Sequence, residues 1–339
     1  MSNDKLIFSG KSSPFSESIL NKRPSAESIR ARLDQLCSGS NLLEFNQNLR
    51  LIRHEIQSGL VYRLLKKIDD YQDTVNTTTL FAELVLEICC NFHYRRLAKR
   101  LSVPKDSSFV FLGLGKLGGY ELNLSSDIDL IFVYAIPENC SPNISDRCRN
   151  FFRTFVNEIN LSLSRVDEDG FVFRVDFRLR PWGNSGPMVI SLEALKEYYE
   201  IHGRDWERYA WIKSRPVAGD MHLGKRIIKA MIPFIYRRYP DFGVIASIRD
   251  LHRQIQIKEQ KTANQRNIKL GQGGIREVEF FAQYFQLLRG GQILELRSTN
   301  CLKTLAILSN LSIISAEVTK ILTNQYLWLR QLEHVIQAR

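Results

Sequence analysis

The sequence predicts an α+β fold, mostly helical, in which a small mixed sheet is flanked by helices and followed by a helical domain. Three observations predict it. Apolar residues recur at three- and four-residue steps before residue 100, short apolar or alternating runs cluster between about 104 and 190, and helical texture returns from Ser191 onward. At 339 residues the chain has room for two cores, because one core serves about 100–200 residues.

Residues 1–25 are rich in Ser, Asn and Lys without periodicity, which predicts a mobile terminus. A helical segment over 26–103 follows. Phe45, Leu49, Ile52, Ile56, Leu60 and Leu64 mark one buried helix face. A second helix is predicted from Thr79 to Arg100, ending in Arg95, Arg96, Lys99 and Arg100, cations that suit the negative end of a helix dipole. After Pro104 the texture changes to a domain expected over 104–190. Ser108–Leu114 reads as a buried strand, GKLGG as a Gly-rich turn, and Asp127–Tyr134 as a second strand. A helix is expected across Ser145–Ser164, then a third strand over Gly170–Arg180, where alternation is strict. Helices are predicted at 192–202, 205–213, 224–236 and 244–261. A Gly-rich loop from Asn267 then leads into a helix at 275–288, and two more follow Ser298. The last pattern reaches the C-terminus without a Gly, Pro or cap, so the helical domain at 191–339 is expected to be cut short there.

Composition narrows the function classes. A hydrophobic share of 44% and a charged share of 24% describe a globular protein, and no apolar run approaches the roughly 18 residues of a membrane span. The N-terminus lacks an apolar signal core, and none of the six cysteines forms a C-x-x-C pair, so reduced thiols and a cytoplasmic location are expected. The net charge of +11 suits phosphate-bearing or acidic partners. The basic residues are spread along the chain, however, and neither an RNA-binding aromatic motif nor zinc-finger spacing occurs. No nucleic-acid partner is therefore expected.

The chemistry gathers on carboxylates. Asp127 and Asp129 are two apart on a predicted strand and project to one side. Such a pair repels itself unless a cation intervenes, and Mg2+, a hard ion that keeps positions open for phosphate oxygens, fits it. Two ions about 3.5–4 Å apart would stabilise both the attacking and the leaving oxygen at a phosphoryl centre. Asp176, among Arg174, Arg178 and Arg180 on the polar face of the third strand, is the third candidate catalytic carboxylate, as a metal ligand or as the base that orients the nucleophile. Gly115, Lys116, Gly118, Gly119 and Ser126 are the candidate phosphate- and nucleotide-binding turn, with Arg178 and Arg180 as further phosphate ligands. The alternative for that polar face is a solvated edge strand with cross-paired charges, but Pro181, Trp182, Gly183 and Gly186 directly after it favour a loop beside a pocket. Lys213 and Arg215 are additional phosphate candidates. On the later helix Arg276, Glu279, Gln283 and Gln286 form either a site face or a polar surface stripe. The histidines lack metal spacing and are read as structural.

GLGKLGGYELNLSSDIDLIF resembles the polymerase-β-like nucleotidyltransferases, with Lys116 standing where many members carry Ser after the first glycine. RVDFRLRPWGNSGPMV, GRDWERYAWIKSRPVAGD, NIKLGQGGIREVEFFAQYFQLLRGG and the final LRQLEHVIQ narrow this resemblance. They are similar to the bifunctional glutamine-synthetase adenylyltransferase/adenylyl-removing enzymes, and closest to the N-terminal, adenylyl-removing half. The resemblance implies phosphorolysis of adenylyl-tyrosine on glutamine synthetase to ADP and active synthetase. It also implies Mg2+ on Asp127, Asp129 and Asp176, and the PII signal protein as a regulatory partner. Forward adenylyl transfer from ATP is the alternative, and an RNA-directed nucleotidyltransferase the more distant one.

Overall fold

A computed structural model describes residues 13–101, 106–137, 140–237 and 267–337. The helix predicted at 244–261 lies outside the described residues, as do residues 1–12 of the expected mobile terminus.

Local sequence explains where the first helices begin. α1 (Pro14–Asn21), α2 (Ala26–Cys37), α3 (Leu42–Leu65) and α4 (Tyr71–Ala98) each start behind a polar cap: Ser13, Ser25, Asn41 and Asp70. Each cap side chain accepts the backbone N–H three residues on, a contact worth about 1 kcal/mol. α1 is a correction to the mobile terminus expected over 1–25. Ile19 packs onto Gly59 of α3, where a Cβ would fall 2.2 Å from its methyl, and it is fully buried. Phe45, Leu49, Ile52, Ile56 and Leu60 are buried as their spacing predicts. At about 1.5–3 kcal/mol for each large apolar side chain, that face holds α3 in place.

β1 (Ser108–Gly113) runs antiparallel to β2 (Ile128–Ala135), with Phe111 opposite Phe132 and Gly113 opposite Leu130. Between them lies the four-residue α5 (Gly115–Gly118). α6 (Pro142–Ser164) follows and brings Phe152 and Phe155 onto Phe109 and Phe132, with Phe151 against Tyr94. The third strand is far shorter than its alternation predicts: β3 covers only Val175–Asp176, parallel to β2. The reason is visible in what its neighbours do. Val172 and Phe173 donate to the Leu163 carbonyl of α6, so pairing with β2 begins only where the Arg174 carbonyl accepts from Ile128, and it covers Val175 and Asp176 alone.

Two strands were not foreseen. β4 (Val189–Ser191) continues the edge that β3 begins, parallel to β2, and precedes α7 (Leu192–Ile201) and α8 (Asp205–Ile212). β5 (Arg215–Gly219) joins antiparallel to β1, completing a five-stranded sheet with the order β3-β2-β1-β5 and β4 beside β2. The sheet therefore recruits a strand from the segment expected to be helical alone. Both strands are short, and β5 contains Pro216, so neither carries a readable alternation.

Side-chain alternation sorts the sheet into two faces. Phe111, Ile128, Leu130 and Phe132 join the core under α3, α4 and α6. Val110, Leu112, Ile131 and Val133 join a second core under α7, α8 and α9 (Met221–Ile235). A third, smaller core unites α10 (Ile275–Arg289), α11 (Cys301–Asn310) and α12 (Ala316–Gln337) through Val278, Leu305 and Tyr326. Among the described residues, no helix is long and apolar enough to cross a membrane.

Candidate active site

Asp129 alternates with Ile128 and Leu130, so it faces the side of the sheet opposite the α3/α4/α6 core, at the start of β2. Parallel pairing places Asp176 directly beside it, Asp129 being the register partner of Asp176. Asp127 lies one residue before β2 and is exposed. The three predicted acids are thus brought to one end of one strand pair.

Their charge states differ. Burial raises Asp129, and the nearby Asp176 and Asp127 carboxylates raise it further, to about 6, against weaker opposition from Lys269 and Lys116. Burial pushes Asp176 up as well, but Arg178 donates to it from its backbone N–H and its guanidinium, and the net displacement is downward. Asp127 accepts from Arg174 Nε, while Arg174 Nη2 donates to the Ser125 carbonyl at 2.6 Å. With Asp127 turned to Arg174 and Asp176 to Arg178, no group of three or more His, Cys, Asp or Glu among the described residues is arranged as a metal cage.

The Gly-rich turn meets the acids from above. Leu114 donates to the Asp129 carbonyl at 2.9 Å, fastening the end of β1 to the start of β2. Gly115 then adopts φ +52°, and a Cβ there would lie 2.2 Å from Asp129 Oδ2. Only glycine combines that left-handed backbone with that approach. Gly118 and Gly119 have a different reason to be glycine. A Cβ on Gly118 would meet the Lys213 carbonyl at 1.7 Å, and one on Gly119 would press on Glu121 and Thr299, so both serve close packing. Ser126 Oγ is buried without a hydrogen-bond partner. Such a hydroxyl costs about 1–3 kcal/mol until something bonds to it.

Several predicted phosphate ligands are engaged elsewhere. Lys116 is buried against Glu333 of α12, Nζ to Oε1 3.0 Å. Burial lowers its pKa to about 8, assisted by Arg330 and resisted by Glu333. Arg180 donates to the carbonyls of Phe177, Gly186 and Pro187 and so shapes its own loop, whereas Arg178 is largely exposed beside Asp176. Lys213 is a correction: it is buried between Glu121 (2.9 Å) and Glu279 (2.7 Å), so its charge is already paired away from solvent. Arg215 is another. It pairs with Glu83, stacks over Tyr120 at 3.7 Å, and donates to the Leu117 and Gly118 carbonyls. The stripe on α10 is mostly internal: Gln283 and Gln286 are buried and donate to the carbonyls of Tyr209, Leu296 and Ser298, Glu279 pairs with Lys213, and only Arg276 is exposed. His93 and His334 sit in buried hydrogen bonds, in keeping with structural histidines.

Sequence reasoning missed a buried polar network behind the turn. Arg330 donates to Glu333, to the Glu121 carbonyl and to the Tyr71 hydroxyl. Glu333 accepts from Lys116 and Asn123, and His334 meets Asn123 at 3.0 Å. Glu121 accepts from the Cys301 N–H and from Lys213. The signal was present as Tyr326, Arg330, Glu333 and His334 on one buried side of a helix whose outer side carries exposed Trp328 and Ile336. Lys269, exposed in the Gly-rich loop before α10, was also missed. It stands near enough to act on both Asp129 and Lys116.

Comparison with known proteins adds to this geometry. A family model described as glutamate-ammonia ligase adenylyltransferase matches residues 15–230, and one described as GlnD PII-uridylyltransferase matches residues 248–339. The chain is similar to the bifunctional glutamine synthetase adenylyltransferase/adenylyl-removing enzyme of Pseudomonas aeruginosa: 40% identical over 319 residues, 91% of this chain and 32% of that protein. The protein of the same name from Burkholderia pseudomallei is 41% identical over 332 residues, 92% of this chain and 36% of the relative. That from Nitrosococcus oceani is 40% identical over 321 residues, 91% and 33% respectively. The chain therefore spans about a third of the length of these relatives.

Proposed function

The chain belongs to the glutamate-ammonia ligase adenylyltransferase family, and from that premise we propose that its acidic cleft removes AMP from adenylylated glutamine synthetase by phosphorolysis. An oxygen of inorganic phosphate forms a bond to the adenylyl phosphorus. The bond from that phosphorus to the tyrosine oxygen breaks, its electron pair leaves on the phenolate, and a proton from solvent neutralises it. The products are ADP and unmodified synthetase.

The observation that carries this reading is the pairing of Asp129 with Asp176 in register, with Asp127 two residues away. Three carboxylates at one point suit a reaction in which charge must be neutralised around a phosphoryl group rather than a bond made to the protein. The donor set also suits divalent cations. Asp127, Asp129 and Asp176 offer hard oxygens, burial and the two neighbouring carboxylates raise the pKa of Asp129, and Ser126 Oγ lacks a partner. We assign Mg2+ to these acids, where it would neutralise charge at the phosphoryl centre and organise the in-line oxygens. Arg178 and Lys269 are the cations best exposed to meet phosphate oxygens. Gly115 lets the turn close on Asp129, with Gly118 and Gly119 setting its packing.

Forward adenylyl transfer from ATP is the second reading, favoured by the relatives' names, which carry both activities. A PII signal protein is proposed as regulator, with the match at residues 248–339 in support. The test is ADP release from adenylylated glutamine synthetase on adding Mg2+ and phosphate. Asp127→Asn, Asp129→Asn and Asp176→Asn should each lower the rate at least about 100-fold. Pyrophosphate release from ATP and unmodified synthetase without phosphorolysis would select the forward reaction, and unchanged rates in all three variants would remove the assigned site.

A further inference from the structure

We infer that Gln337, in the last turn of α12, is a positioning residue for the reaction: its side-chain oxygen holds the Ser125 peptide and so sets Ser126 and Asp127. The assignment rests on the phosphorolytic reading and deepens the site it uses. Ser125 is held from two sides by side chains far away in sequence. Its N–H donates to Gln337 Oε1 at 3.2 Å, and its carbonyl accepts from Arg174 Nη2 at 2.6 Å. Asp127 lies two residues on, and between them stands Ser126 with its unpartnered hydroxyl.

This segment needs side chains because the sheet does not hold it. β1 ends at Gly113 and β2 begins at Ile128, so residues 119–127 lie off the ladder, where backbone polar groups must find other partners. Several of those partners are side chains. Asn300 donates to the Gly119 carbonyl, Arg330 donates to that of Glu121, and the Leu122 N–H goes to Thr79 Oγ1 at 3.2 Å. Those bonds act early in the segment. Gln337 acts at its end, next to the acids.

The spacing of α12 matches the segment step for step. Arg330, Glu333 and Gln337 recur at three and four residues and so share one side of the helix. They meet the segment in chain order: Arg330 at Glu121, Glu333 and His334 at Asn123, Gln337 at Ser125. One helical turn rises about 5.4 Å, within the reach of two residues of chain, at most about 7 Å. The segment therefore runs alongside the helix with one attachment per turn. Ser126 N–H returns to the Asn123 carbonyl at 3.3 Å, so the turn that carries Ser126 is tied by α12 at Asn123 and again at Ser125. Gln337 differs from its neighbours in the network. Arg330 and Glu333 are buried ions, whose loss strands a partner charge, whereas Gln337 is uncharged, half-buried and bonded to a backbone group. Its removal releases the loop without stranding a charge, which separates positioning from folding.

The test uses the full chain and two readouts. Gln337→Met keeps the length of the side chain and removes the acceptor, while Gln337→Glu keeps an acceptor. Gln331→Met makes the first change on the exposed side of the same helix. With adenylylated synthetase, Mg2+ and phosphate, Gln337→Met should lower kcat for ADP release about tenfold or more and leave the phosphate KM within about twofold. Gln337→Glu should recover most of that loss, and Gln331→Met should match the native chain. Mn2+, titrated alone by electron paramagnetic resonance in place of Mg2+, should bind Gln337→Met about tenfold more weakly than the native chain or Gln337→Glu. Native kcat and native Mn2+ affinity in Gln337→Met overturn the assignment and leave phosphorolysis intact. An equal loss in Gln337→Glu, or loss of the folded state in Gln337→Met, also overturns it, because the residue then supports the helix rather than the loop. Mn2+ affinity that falls in Gln337→Met and returns in Gln337→Glu, in a chain that makes no ADP, keeps the positioning role and overturns the reaction.

Discussion

Replacing Gly115 with alanine tests whether the turn positions Asp129 or merely connects two strands. A Cβ at this position falls 2.2 Å from Asp129 Oδ2, whereas ordinary contact begins at 3.4 Å, so the carboxylate or the turn must yield by about 1.2 Å (3.4 less 2.2). The backbone cost is separate. At φ +52° an L side chain is strained by about 1–2 kcal/mol. Gly39 supplies the control, because its φ is +78° and nothing lies within 4 Å of its would-be Cβ. Both variants should lose about 1–2 kcal/mol in a denaturant melt, but only Gly115→Ala should lose the phosphate-dependent ADP release. A displacement of about 1 Å at a reacting group costs on the order of 100-fold. Gly115→Ala with activity within a few-fold of Gly39→Ala would refute the assignment of Asp129 to the reacting centre.

The acids make a second prediction, about pH. Asp129 rises from 3.8 to about 6 on folding, so its ionisation opposes the folded state; at 1.36 kcal/mol per pH unit this amounts to roughly 3 kcal/mol. The penalty is absent below about pH 3.8, grows through pH 6 and is complete above it. Asp129→Asn in chelator-treated buffer should therefore melt higher than the native chain at pH 8, with a gap that closes toward pH 4; an equal or lower midpoint at pH 8 contradicts the crowding of the three carboxylates. Glu333→Gln removes the charge that faces buried Lys116 and Arg330, and should destabilise by about 3 kcal/mol in a urea melt. A loss below about 1 kcal/mol would mean that the network is not formed as described. Among the cysteines, Cys37, Cys89, Cys90, Cys148 and Cys301 are buried, and burial raises the thiol pKa of each, Cys37 to about 12. A native thiol titration should therefore modify Cys140 first, and rapid loss of several thiols would contradict the packing of α2 on α4.

Much of this site was legible because its signals are local. The spacing from Phe45 to Leu60 marks a helix face, Ser108–Gly113 and Ile128–Ala135 are apolar runs between turn residues, and Asp127 and Asp129 sit two apart. The parts that escaped depend on partners far away in sequence. β5 is a strand only because β1 offers it an edge about a hundred residues earlier, and Lys213 reads as a phosphate ligand until Glu121 and Glu279 are seen on either side of it. The alternation of Gly170–Arg180 overstated β3 because the Val172 and Phe173 N–H groups go to Leu163 of α6, while past Asp176 the Arg178 and Arg180 N–H groups close turns on Asp176 and Phe177. On α12 the usual polarity is inverted, with charges inward and Trp328 outward, and no rule of helix amphipathicity points to Lys116 as the reason.

That inversion limits how α12 can move. A helix held by apolar contacts can slide by a residue or a turn and meet another apolar surface of similar worth. α12 has no such freedom. A shift of one turn, about 5.4 Å, would part Glu333 from Lys116 and Asn123, and Arg330 from the Glu121 carbonyl and Tyr71, stranding several charged groups away from water at once. The helix therefore behaves as a key cut for one depth. Either it is fully seated and Lys116 is fixed at the end of the turn, or it is withdrawn and the turn loses its anchor.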